Sequence, residues 1–179
     1  SAPPRRIGVV GLGVGTLAAY ARPGDEFRFY EINPAVIDLA QRFFDYLPAC
    51  RGSVEIVEGD ARILLEQEPA QAFDVLVLDA FSSDSIPVHL LTREAFAVYL
   101  RHLKQDGVLA VHISNVHVDL SPVVAGQATH FQLAMAGFES SANEDTETRF
   151  AIWMLLSRNA RALGIEAVQR AKLPRPDRE

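Results

Sequence analysis

Three short patches of this chain carry residue types able to do chemistry. The run Gly11-Leu12-Gly13-Val14-Gly15-Thr16 follows an apolar stretch, and its small residues allow a tight turn that lets a ligand approach the backbone at the start of a helix. Its spacing is G-x-G-x-G, because Thr16 stands where a dinucleotide loop carries its third glycine. Glu31 closes a second apolar run about 20 residues after Gly11, where a carboxylate can accept both hydroxyls of a ribose. Gly59-Asp60-Ala61 closes a third run and offers a carboxylate to an adenine amino group. The competing readings are a structural glycine turn and two surface or capping acids. Three successive run ends bearing glycines, Glu and Asp favour adenosine binding.

Other candidates carry less. Ser82 and Ser83 lack the G-x-S-x-G elbow of a serine nucleophile. His112, His117 and Asp119 have no metal-ligand spacing, so no metal site is expected. Trp153 and the pair Phe43-Phe44 read as core aromatics, and Cys50, a lone thiol, as incidental. Asn115 either lines the pocket or caps a turn.

These patches need a scaffold that brings run ends together. The segments IGVVGLG, EFRFYEI, VEIVEGD, FDVLVLDAF and VLAVHIS are apolar enough for strands buried on both faces of a parallel sheet. Asn33-Pro34 opens a helix whose apolar face is Val36, Ala40, Phe43 and Leu47. Thr92 caps another that ends at Gln105-Asp106-Gly107, and Ser121-Pro122 opens one running to about Ala136. Strands are expected near Phe138 to Ala142 and Arg149 to Leu156. The pattern predicts an α/β, doubly wound, Rossmann-like open sheet of about seven mostly parallel strands with helices on both faces. Ligands of such sheets bind at the carboxyl ends of the strands, beside the point where strand order reverses.

Composition agrees with a globular domain: 179 residues, 49% hydrophobic and 22% charged, exclude disorder, collagen and coiled coil. No apolar stretch approaches the roughly 20 residues of a spanning helix. The lone cysteine fits a reducing compartment. The net charge of −6 argues against a nucleic-acid partner and suits a cationic small substrate. Residues 1–157 read as the domain, and 158–179, locally basic and ending KLPRPDRE, as a tail or linker. The start without an initiator Met reads as a piece of a longer chain.

At Glu31, Asp60 and the stretch Phe73-Asp74-Val75-Leu76-Val77-Leu78-Asp79-Ala80-Phe81-Ser82-Ser83-Asp84, the sequence resembles the class I S-adenosylmethionine-dependent transferases. Among these it is most similar to the spermidine synthase (polyamine aminopropyltransferase) family, over Ile7 to Ser157. It resembles above all the spermidine-synthase-like domains that bacteria fuse to a membrane segment, which implies a cytoplasmic domain of a membrane-anchored protein. The resemblance implies that Gly11, Gly13, Gly15, Glu31, Asp60 and Ala61 bind S-adenosylmethionine or its decarboxylated form. It assigns Asp79 as the catalytic aspartate and Asp84 as the loop aspartate that holds the amine. A polyamine or other cationic acceptor and a homodimer are implied with them.

The chemistry is consistent with those roles. An amine nitrogen attacks the methylene beside a sulfonium, and a neutral thioether leaves without needing an acid. The site must therefore supply a base and anions that hold a polyammonium in line. The chain departs from the family at Val14, where an aspartate recognises the aminopropyl ammonium, and at Ser85-Ile86-Pro87-Val88-His89, which replaces a Gly-Pro-Ala loop. The spacing from Asp79 to Asp84 is also longer, and the family's small N-terminal β-domain has no counterpart. Two alternatives follow: an S-adenosylmethionine-dependent methyltransferase, and a non-catalytic nucleoside-binding sensor domain of a membrane protein. An NAD-dependent dehydrogenase would need the missing third glycine.

Overall fold

The computed structural model describes residues 3–81, 86–115, 118–140 and 151–164. Five strands run parallel: β1 (Arg6–Val10), β2 (Glu26–Glu31), β3 (Ser53–Glu58), β4 (Phe73–Leu78) and β5 (Leu103–His112). β6 (Ala134–Ser140) and β7 (Ala151–Ser157) complete one seven-stranded sheet in the order β3-β2-β1-β4-β5-β7-β6, with β7 antiparallel to both neighbours. The order reverses at β1, which has β2 on one side and β4 on the other. The expected mostly parallel open sheet is the observed one.

Alternation along each strand divides the core. Val10, Tyr30, Leu76, Leu78, Leu109 and Val111 face α2 (Ala61–Gln67), α3 (Arg93–His102) and α4 (Ser121–His130). Ile7, Val9, Phe27, Phe29, Val77 and Ala110 face α1 (Pro34–Phe43) and a 3-10 turn at Thr16–Tyr20. Asn33, Asp60 and Thr92 cap α1, α2 and α3, each side chain accepting from a first-turn amide.

Several local expectations change. The glycine loop leads into the single 3-10 turn Thr16–Tyr20, not a full helix, because Pro23 and Gly24 force a bend soon after it. α4 stops at His130, short of Ala136. Gln132 takes a left-handed φ of 54°, while its N–H bonds to Thr129 O and the N–H of Leu133 to Ala128 O, a Schellman ending that frees Ala134 onward for the sheet. Phe43 does not reach the core: it is 65% exposed under the Arg42 guanidinium, since the chain turns extended at Phe44 and only Ala40 is fully buried on that helix. Phe44 is exposed as well. Gln105-Asp106-Gly107 forms a bulge within β5, where pairing slips from Phe73–Leu103 to Val75–Val108. The segment read as a tail begins with a packed part: Arg158 donates to Leu100 O, and the 3-10 turn Ala160–Leu163 buries Leu163. Residues 165–179 lie outside the described residues.

The start of the sheet is clamped by Asp25, 1% exposed. Its carboxylate accepts from the backbone amides of Arg5 and Arg22 and from both guanidinium groups, tying the entry of β1 to the turn before β2. The Arg22 side chain, helped by Arg5, holds the Asp25 carboxyl well below the usual carboxylate range against the opposing effect of burial. As pH falls, the unfolded chain takes up this proton first. The contribution of Asp25 is therefore complete above the ordinary carboxylate pKa and is lost only in stronger acid, toward the depressed folded value. Asp25→Asn is expected to lower unfolding free energy near neutral pH by about 2 kcal/mol or more, measured by urea titration, with the difference shrinking in strong acid.

Candidate active site

The ends of β1, β2, β3 and β4 open onto one cavity of about 460 Å³, within the usual size range of a small-molecule site. Its base is backbone. Gly11 has a φ of 95°, and a side-chain carbon there would lie 2.4 Å from the Asp79 carbonyl oxygen, so the ends of β1 and β4 close together only with glycine. Gly13, also left-handed at 54°, meets no atom within 4 Å where a Cβ would stand. Gly15 is not brought to the cavity; it abuts the Leu47 side chain.

Glu31 is 8% exposed and lines the cavity at the end of β2. One carboxylate oxygen accepts from the Leu12 amide at 2.9 Å and the other from the Asn33 amide at 2.8 Å. It thereby joins the loops after β1 and β2, and a carboxylate has about four lone-pair positions, so acceptor capacity remains for a ligand's hydroxyls. Asp60 divides its work similarly. Oδ1 caps α2 through the Arg62 and Ile63 amides, whereas Oδ2 lies 3.5 Å from His89 Nε2 across the cavity edge. Ala61 lines the wall beside it.

Apolar residues complete the lining. Ile32, 65% exposed, and Val36 come from the end of β2 and from α1, and Pro87 and Leu90 from the segment between β4 and α3. The Leu90 wall is fixed by the Tyr99 phenol, which donates to Leu90 O at 3.1 Å and whose pKa burial pushes up. Tyr30 forms part of the base. Its hydroxyl donates to Glu68 and accepts from Arg28, and burial keeps the phenol protonated well above its ordinary range.

At the β4 end, Asp79 lines the cavity with its side chain 35% exposed. Its Oδ1 is 2.7 Å from His112 Nδ1. The His112 ring stacks on Trp153 at 4.4 Å and meets the Phe81 edge at 4.7 Å, while its Nε2 is 2.7 Å from Ser114 Oγ. Of the residues weighed as metal ligands, His112 is thus engaged by Asp79, and Asp119 accepts from the Ser121 amide before α4. Asn115 Oδ1 accepts from the Val118 amide at 3.1 Å. His117 lies outside the described residues, as does Asp84 in 82–85.

The cavity therefore unites Gly11, Gly13, Glu31, Asp60, Ala61 and Asp79. Sequence reasoning missed Ile32, His89 and His112. His112 comes beside Asp79 only through the sheet register, in which Leu78 pairs with Val111 and the next residues are neighbours.

No protein-family model matches the chain. It is 33% identical over 114 residues to the polyamine aminopropyltransferase of Vibrio vulnificus, an alignment covering 61% of this chain and 38% of that protein. Among solved structures it is similar to one described as a probable spermidine synthase from Corynebacterium glutamicum, with a TM-score of 0.69, 25% identity, and coverage of 86% of this chain and 56% of the other. It is also similar to human methyltransferase-like protein 13 in complex with SAH, with a TM-score of 0.68, 18% identity, and coverage of 98% and 86%. The chain is thus similar in sequence to polyamine aminopropyltransferases and in fold to spermidine synthases and class I methyltransferases. It spans 38% of the length of the curated relative from Vibrio vulnificus.

The double role of Glu31 has a measurable consequence. Glu31→Ala leaves the Leu12 and Asn33 amides without their acceptor, and is expected to lower unfolding free energy by about 1–3 kcal/mol in urea titration.

Proposed function

We propose that this domain binds the adenosine part of decarboxylated S-adenosylmethionine and transfers its aminopropyl group to a polyamine. The observation that carries this reading is the convergence of Glu31, Asp60 and Asp79 on one cavity in a chain similar in sequence to a polyamine aminopropyltransferase. Glu31 would accept the ribose hydroxyls and Asp60 Oδ2 the adenine amino group, with the base held flat between Ile32 and Leu90. Asp79 lines the same cavity, where it would take a proton from the acceptor ammonium. The freed amine lone pair then forms the new C–N bond as the C–S bond breaks, and that electron pair leaves on a neutral thioether sulfur. Asp84 would anchor the distant ammonium of the acceptor.

Methyl transfer is the second reading. It is favoured by Val14, which stands where the resemblance places an aspartate for the aminopropyl ammonium. Both readings share the nucleoside contacts and differ in the donor's tail.

Calorimetric titration with methylthioadenosine and with S-adenosylhomocysteine separates them. Tighter methylthioadenosine binding is expected; tighter S-adenosylhomocysteine binding would replace aminopropyl by methyl transfer. Asp79→Asn is expected to reduce turnover of putrescine or spermidine by about 10²-fold or more while leaving methylthioadenosine affinity unchanged. Full activity in that variant would remove Asp79 as the base.

A further inference from the structure

We propose that His112 is a positioning residue for Asp79, donating from Nδ1 to Asp79 Oδ1 so that the carboxylate keeps Oδ2 for the acceptor amine. The proposal rests on the reading of Asp79 as the base. Four contacts define the ring. Its plane is set by Trp153, stacked within 11° of parallel, and by Phe81, which meets it edge-on at 70°. Its two nitrogens are both engaged, Nδ1 by Asp79 and Nε2 by Ser114 Oγ, each at 2.7 Å.

Asp79 decides which nitrogen carries the hydrogen, because an ionised carboxylate can only accept and Nδ1 faces it at 2.7 Å. The β5–β7 ladder continues past His112 with the Ile113 amide donating to Ile152 O, and the next bond runs from the Ile152 amide to Ser114 Oγ at 2.7 Å. The serine oxygen thus substitutes for a backbone acceptor at the ladder's end. With Nδ1 carrying the hydrogen of the neutral ring, Nε2 is left as an acceptor, and the serine hydroxyl, which receives the Ile152 N–H on its oxygen, donates to it. Nδ1 carries the hydrogen and points it at Asp79. Among the described residues, Asp79 Oδ2 has no protein partner. Sheet pairing is in this way transmitted through a hydroxyl and an imidazole to one oxygen of the carboxylate.

Two measurements test this. A long-range proton–nitrogen NMR spectrum of the imidazole groups, with His112 assigned by its loss in His112→Asn, is expected to show hydrogen on Nδ1; hydrogen on Nε2 alone overturns the proposal. Kinetics supply the second arm, with decarboxylated S-adenosylmethionine and putrescine as probes. His112→Phe should lower kcat by about 10²-fold, with methylthioadenosine affinity unchanged, because the carboxylate loses its orientation. His112→Asn, whose amide N–H occupies the place of Nδ1–H, should restore kcat to within about tenfold of wild type. Equal kcat in His112→Phe and wild type, or no difference between the two variants, overturns the positioning role. A wild-type protein that turns over no amine with either donor would count against the proposed function, and the NMR spectrum would still decide the hydrogen bond from His112 to Asp79.

Discussion

The contact between residue 11 and the backbone of Asp79 and Ala80 is the constraint on which the cavity depends. β1 is the strand from which the parallel order departs in both directions, so a ligand crevice at its end must be bounded by β2 on one side and β4 on the other. The Gly11 amide bonds to Tyr30 O and the Asp79 amide to Val10 O, which continues both ladders past the regular strands. Without a Cβ at Gly11 those continuations meet, and the carboxylates at the ends of β2 and β4 flank β1 and line the same cavity.

Each acid of the site then does two kinds of work. Glu31 accepts two loop amides, Asp60 caps a helix, and Asp79 is held by an imidazole. Fold and site are coupled through single side chains, because a carboxylate's oxygens can satisfy backbone donors and still face a ligand. The same economy explains why a short 3-10 turn suffices after the glycine loop. The loop is fixed by Glu31 through Leu12, so the turn that follows need not be a long helix.

Much of the site was legible in the chain because its residues are local to strand ends. Glu31, Asp60 and Asp79 each lie within two residues of a strand end, and in a parallel sheet such positions converge whatever the helices do. Phe43 misled because helical periodicity says which residues share a face and nothing of where the helix leaves the sheet. α4 was read too long because its stop is an αL glutamine, a residue type without the stop signal that glycine would supply. Gly15 kept its left-handed backbone but turned toward Leu47, a partner more than thirty residues away in sequence.

What the sequence determined by itself is the alternation of buried strands and capped helices, hence the open α/β sheet, and the acids at its carboxyl edge. These depend on local chemistry: apolar runs, N-caps and small residues at a turn. The tertiary structure alone decided what surrounds those acids. The hydrogen-bonded chain from Ile152 through Ser114 and His112 to Asp79 joins β7 to β4 across β5. Strand register and the antiparallel return of β7 create it, and both are set by packing between segments far apart in the chain.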